Sequence, residues 1–331
     1  MRIAAALLVL PWFAGHEPTT PDPSRVEIKE WKVPWEKSRP RDPFVDAAGR
    51  VWFVGQEGNY VAHLEPASGK FTRHELEPGT NPHNLVVDRQ GAVWFTGNRN
   101  ARLVKLDPAS GKMTTIAMPD PAAKDPHTLT FDQKGNGWFS VQFGNFVGHL
   151  VTATGQVQLM KMPTPNARPY GIVIDSRGHP WFDEFGVNRI GTIDPATMKL
   201  REYPLPDARA RPRRIAVTAD DVIWYGDYTR GFLGRLDPAT GQVREWALPS
   251  GAASMPYAMA SDDRGRLWLV ETGVQPNRLV GFDPRTSEFF SVTPISESGG
   301  LSVRHMVFHA PTRTLWFGTD ANTIARATVS E

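Results

Sequence analysis

The sequence predicts an all-β, seven-bladed β-propeller with four antiparallel strands per blade. Three observations carry this: a periodic Trp, two recurring turns around it, and chain ends that complete each other. The Trp falls at Trp52, Trp94, Trp138, Trp181, Trp224, Trp268 and Trp316, spaced 42, 44, 43, 43, 44 and 48 residues apart. Units of about 40 residues with four short strands have the size of propeller blades. Within each unit the Trp sits in the second strand, followed by an aromatic residue or Leu (Phe53, Phe95, Phe139, Phe182, Tyr225, Leu269, Phe317). Six residues earlier stands Asp46, Asp88, Asp132, Asp175 or Asp262, usually opening an Asp-x-x-Gly turn such as DRQG, DQKG or DSRG. Asp can accept bonds from its own backbone and Gly tolerates positive φ, so this is hairpin-turn chemistry. A second turn recurs as EPASG, DPASG, DPATG and DPRTS and separates the third strand from the fourth.

The chain ends fix the number of blades. The last repeat supplies only three strands, RHMVFH, TLWFG and TIARATV, before the sequence ends. Residues 26–34, VEIKEWKVP, match the fourth-strand pattern seen in VREWALP. The N-terminal strand is therefore expected to complete the seventh blade and to remove an open sheet edge. The propeller is expected over residues 26–331. A monomer is expected.

Composition narrows the function classes. The 331 residues carry 37 Lys and Arg against 35 Asp and Glu, so charge gives no reason to expect nucleic acid as a partner. Cysteine is absent, which excludes disulfides, thiolate metal sites and a cysteine nucleophile. Residues 1–15, MRIAAALLVLPWFAG, read as a signal peptide with a weak cleavage site, and 16–25 as a linker. That predicts a secreted or periplasmic protein with no integral membrane segment in its mature chain.

One position per blade should face the central channel. Counting back eleven residues from each Trp gives Arg41, His83, His127, Tyr170, Arg213, Tyr257 and His305. Structural positions in a repeat converge on apolar residues, whereas these seven all have hydrogen-bonding tips. A polar ring at a channel mouth suits a small-molecule or cyclic peptide ligand, although such a ring also suits bound water. Carboxylates recur after the Trp strand, at Glu184, Asp227, Glu271 and Asp320. They suit a hard cation such as Mg²⁺ or, equally, pairing with Arg41 and Arg213. His63 and His149, at the third-strand position that elsewhere holds Lys105, Thr192 and Arg235, read as surface residues.

The repeats PHNLVVDRQGAVWF, PHTLTFDQKGNGWF and PYGIVIDSRGHPWF, with NRIGTID downstream, resemble those of the virginiamycin B (streptogramin B) lyases. The resemblance implies a carbon–oxygen lyase that opens a cyclic ester by elimination, with a histidine base and Mg²⁺ held by glutamates. It places the base on His305 and a metal ligand on Asp320, with Glu271 as a substitute ligand and Tyr257 where the family has a channel histidine. Val303 stands where the family has a glutamate and offers the metal no ligand. Two further classes stay open. One is a non-catalytic ligand-binding propeller; the other is a lactonase-type hydrolase, whose metal set has no match at these positions.

Overall fold

The computed structural model describes residues 26–329, so the apolar run 1–15 and the linker 16–25 lie outside the described residues. Seven four-stranded antiparallel sheets are arranged as the blades of one propeller. The first blade runs Pro40–Val45, Val51–Gly55, Tyr60–Glu65 and Lys70–Glu75, and five more follow in the same order. The seventh is built from Val303–His309, Thr314–Thr319 and Thr323–Thr328, and the N-terminal strand Glu27–Lys32 completes it. Glu27 pairs opposite Thr328 and Lys32 opposite Thr323, so the two chain ends close the ring. Among the described residues no helix is long and apolar enough to cross a membrane.

The recurring Asp and Trp prove to be one device. In the first blade Asp46 Oδ1 accepts the backbone N–H groups of Ala48 (3.0 Å) and Arg50 (2.9 Å), which shapes the turn. Its Oδ2 accepts the indole N–H of Trp52 at 2.9 Å, which anchors the core. The same indole bond recurs at Asp88, Asp132, Asp175 and Asp262. Thr218 provides it for Trp224 in the fifth blade. Each capped ring then packs across a blade boundary: Trp52 lies with Leu85, Val87 and Phe95 of the next blade. The core is thus a circle of seven inter-blade clusters. Asp262→Ala removes acceptors for Arg264 N, Arg266 N and Trp268 Nε1 together. It is expected to cost about 3 kcal/mol, read as a lower urea midpoint.

The third-strand histidines depart from expectation. His63 is buried, because its position pairs directly across from Trp52 and its ring lies 4.5 Å from the indole. His149 covers Trp138 in the same way at 4.3 Å, and Lys105 lies over Trp94. These side chains roof the Trp rather than face solvent alone.

The first strand of every blade carries a one-residue register shift near its start. A regular strand turns consecutive side chains to opposite faces, and a bulge breaks that alternation. Two consecutive residues can then both address the channel.

Candidate functional site

The bulges build two tiers of side chains around the axis near the upper face, where the first strands begin. The upper tier comprises Arg41, His83, His127, Tyr170, Arg213 and Tyr257, as the sequence spacing predicts, with Arg304 as its seventh member. Arg304 follows Val303, which pairs with Thr319 just as Pro256 before Tyr257 pairs with Glu271. His305 falls one residue further on, in the lower tier with Asp42, Asn84, Thr128 and Arg214. The cause is the seventh blade's turn, a 3₁₀ segment at Ala310–Thr312 in place of Asp-x-x-Gly. There Trp316 faces Val307, nine residues back, whereas Trp268 faces Ala260, eight back. A fixed count from the Trp therefore misses by one.

The upper tier is a closed plug. Arg41, His83, His127, Tyr170 and Tyr257 are at most 4% exposed. The rings of His83 and His127 lie 3.5 Å apart, and His127 lies 4.1 Å from Tyr170. Burial, then neighbouring guanidinium groups, holds both histidines well below their usual range and hence neutral. Across the axis the Tyr170 and Tyr257 hydroxyls touch. The Arg213 guanidinium sits over Tyr257 at 3.7 Å and over Tyr228 at 4.2 Å, with Phe185 at 4.7 Å. Arg304 and Arg214 approach the Tyr257 ring to 5.7 and 5.9 Å.

Electrostatics separates the two phenols. Burial raises both, and Tyr170 stays raised. For Tyr257 the opposing pull of Arg213, Arg41, Arg214 and Arg304 wins and brings its hydroxyl well below the ordinary phenol range. Beneath, Asp42 overcomes its own burial through Arg41, His305 and Arg214 and stays ionised. It binds Arg41 Nε at 2.9 Å and Asn84 Nδ2 at 3.1 Å. Burial lowers His305 to about 4, so it too is neutral.

The carboxylates expected to hold Mg²⁺ are committed elsewhere. Asp320 makes a two-point pair with Arg304, at 3.0 and 2.5 Å. Glu271 accepts Ser250 N, Ser250 Oγ, Ser254 Oγ and Arg278 Nε. Asp227 pairs with Arg230. The partners are thus Arg304, Arg278 and Arg230 rather than Arg41 and Arg213. Among the described residues no group of three or more His, Asp or Glu is placed to hold a metal ion. With Val303 in the seventh blade, the donor set does not fit Mg²⁺.

Among the described residues, Glu184 alone has two buried side-chain oxygens without a partner. Burial, then Glu202, raises it to about 8 from 4.5. The folded state therefore binds an extra proton between those values, and stability falls as pH rises from about 4.5 to about 8. Glu184→Gln is expected to stabilise the fold at pH 8 by on the order of 2–4 kcal/mol. The gain should fade toward pH 5 in paired thermal melts.

Sequence reasoning missed Asp42, Arg214 and Arg304. For Asp42 and Arg214 the signal is the second polar residue in PRD and PRR, as in PHN and PHT, which only a bulge turns inward. Arg304 is instead the first polar residue of its strand and was missed because the seventh blade's turn is longer.

This architecture is a seven-bladed propeller whose channel is closed by an arginine–tyrosine plug. The chain belongs to the virginiamycin B lyase family, whose model matches residues 79–331. The virginiamycin B lyase of Staphylococcus aureus superposes with a TM-score of 0.84 at 23% identity, covering 92% of this chain and 100% of that one. A streptogramin B lyase superposes at 0.83 and 25% identity, covering 92% and 98%. A Kuenenia stuttgartiensis hydrazine synthase chain gives 0.75 at 14% identity over 90% and 97%, so the ring also occurs in proteins of other names. No curated protein matches the chain.

Proposed function

We propose that this protein is a carbon–oxygen lyase that opens an ester by β-elimination at the upper face of the channel, with Tyr257 as base and arginines in the place of a metal. The observation that carries it is the Tyr257 hydroxyl among four guanidinium groups and in contact with the Tyr170 hydroxyl. A phenolate takes the proton α to a carbonyl. The Cα–H electron pair forms the Cα=Cβ bond, the Cβ–O bond breaks, and the carboxylate leaves. Charge grows first on the carbonyl oxygen and then on the leaving group, and fixed cations stabilise both. Arg213 and Arg304, the half-buried members of the tier, form its cover and meet the substrate first. The apolar run 1–15 supports export and, with it, an activity outside the cytoplasm.

The test is mass spectrometry of a streptogramin B antibiotic incubated with the protein, with and without EDTA. Elimination gives a product of unchanged mass and new retention time, insensitive to EDTA and absent with Tyr257→Phe. A product heavier by one water assigns a lactonase-type hydrolase instead. The closure of the plug favours a second reading, a propeller that binds a small molecule or cyclic peptide without converting it. Saturable binding with no new product would assign that role.

A further inference from the structure

Beneath the lower tier the channel holds a cavity of about 310 Å³. This is at the lower end of the ~300–1,000 Å³ range of small-molecule sites. Its walls are the continuing first strands: Leu85, Leu129, Ile172, Ile215, Met259 and Met306, each at most 5% exposed. One step lower, Phe44, Val173, Val307 and Phe308 are only half-buried, so the cavity opens on the face opposite the plug.

The ceiling is polar. Asn84, Thr128, Arg214 and His305 line it. Arg214 spends Nε on the Arg304 carbonyl at 3.0 Å, but its two terminal nitrogens reach Thr128 and Asp42 only at 3.3 and 3.5 Å. Those contacts lie at the outer edge of hydrogen bonding. His305 Nδ1 is buried with no partner. Directly above, Arg41 Nη2 is also without one. Two guanidinium groups, Arg41 and Arg214, thus face one ionised carboxylate, Asp42, because burial raises the neighbouring Asp183 well above the usual carboxylate range. A cavity with apolar residues along its walls and a net positive, under-bonded ceiling suits an anionic head on an aliphatic chain.

We propose that this cavity is a second binding site, entered from the lower face, for a short-chain aliphatic carboxylate. The carboxylate accepts from Arg214, with Asn84, Thr128 and His305 around it, and the chain lies along the six apolar residues. Bidentate geometry favours a carboxylate over a neutral head. The site lies below Tyr257 and shares Arg214 with it.

The experiment is calorimetric titration of octanoate, and separately octanol, into the full-length protein. Saturable one-to-one binding of octanoate, at least tenfold tighter than octanol, is the expected result. Val173→Trp fills the lower opening and should abolish octanoate binding while circular dichroism stays native. Octanoate carrying a terminal diazirine should label peptides with Ile172 or Met259 in the unmodified protein, so the proposal stays testable if the Trp variant fails to fold. Absent binding, equal affinity for octanol, binding that survives Val173→Trp, or labelling confined to the upper rim would each overturn it.

Discussion

Tyr257→Phe is expected to lower turnover by about 10²–10⁴-fold, the usual weight of a positioned general base. The substitution removes one oxygen and leaves the ring on which Arg213 stacks, so the plug keeps its packing. The rate of the unmodified protein should rise with pH and level off above the Tyr257 pKa, because the ionised phenol is the active form. That rise should come well below the ordinary phenol range, since four guanidinium groups favour the phenolate. Arg213→Met separates this role from mere structure. Removing the cation nearest the ring weakens the pull against burial and moves the rising limb to higher pH. A flat pH profile, or a Tyr257→Phe variant with undiminished turnover, would rule the phenol out as base.

The ring was legible in the sequence because its devices are local. Trp spacing, the Asp-x-x-Gly turn and the incomplete last repeat each encode a geometry within a dozen residues. Arg41, His83, His127, Tyr170, Arg213 and Tyr257 were legible for the same reason, since six blades share one turn length. Blade seven shows the limit: one added residue between Met306 and Trp316 moved His305 down a tier and brought Arg304 up. Asp42 and Arg214 needed knowledge of the bulge, which inverts the strand rule that neighbouring side chains diverge. The fate of the carboxylates was not legible, because pairing across loops decides it. Asp320 meets Arg304, sixteen residues away, and Glu271 meets Arg278 and Ser250 at a loop junction.

Asp42→Asn is expected to destabilise the fold by about 3–5 kcal/mol, the typical cost of stranding a buried charge. Asp42 is fully buried and holds φ at +48°, a conformation Asn tolerates, so the change isolates charge from backbone strain. What it strands is Arg41, bound through Nε at 2.9 Å, and in part Arg214 at 3.5 Å. The folded-state pKa of Asp42 is depressed, so its contribution is complete above the unfolded value of 3.8 and is lost as pH falls through the lower, folded one. The difference between the two proteins in guanidinium melts should hold from neutral pH down to about 4 and narrow only below. Adding Arg214→Met should recover part of the loss, because the second substitution removes one of the stranded cations. The size of the single-variant effect also reports on the phenol above. A loss under about 1 kcal/mol would mean that another anion already balances these guanidinium groups. Among the buried side chains of the upper tier, ionised Tyr257 is the group placed to supply it.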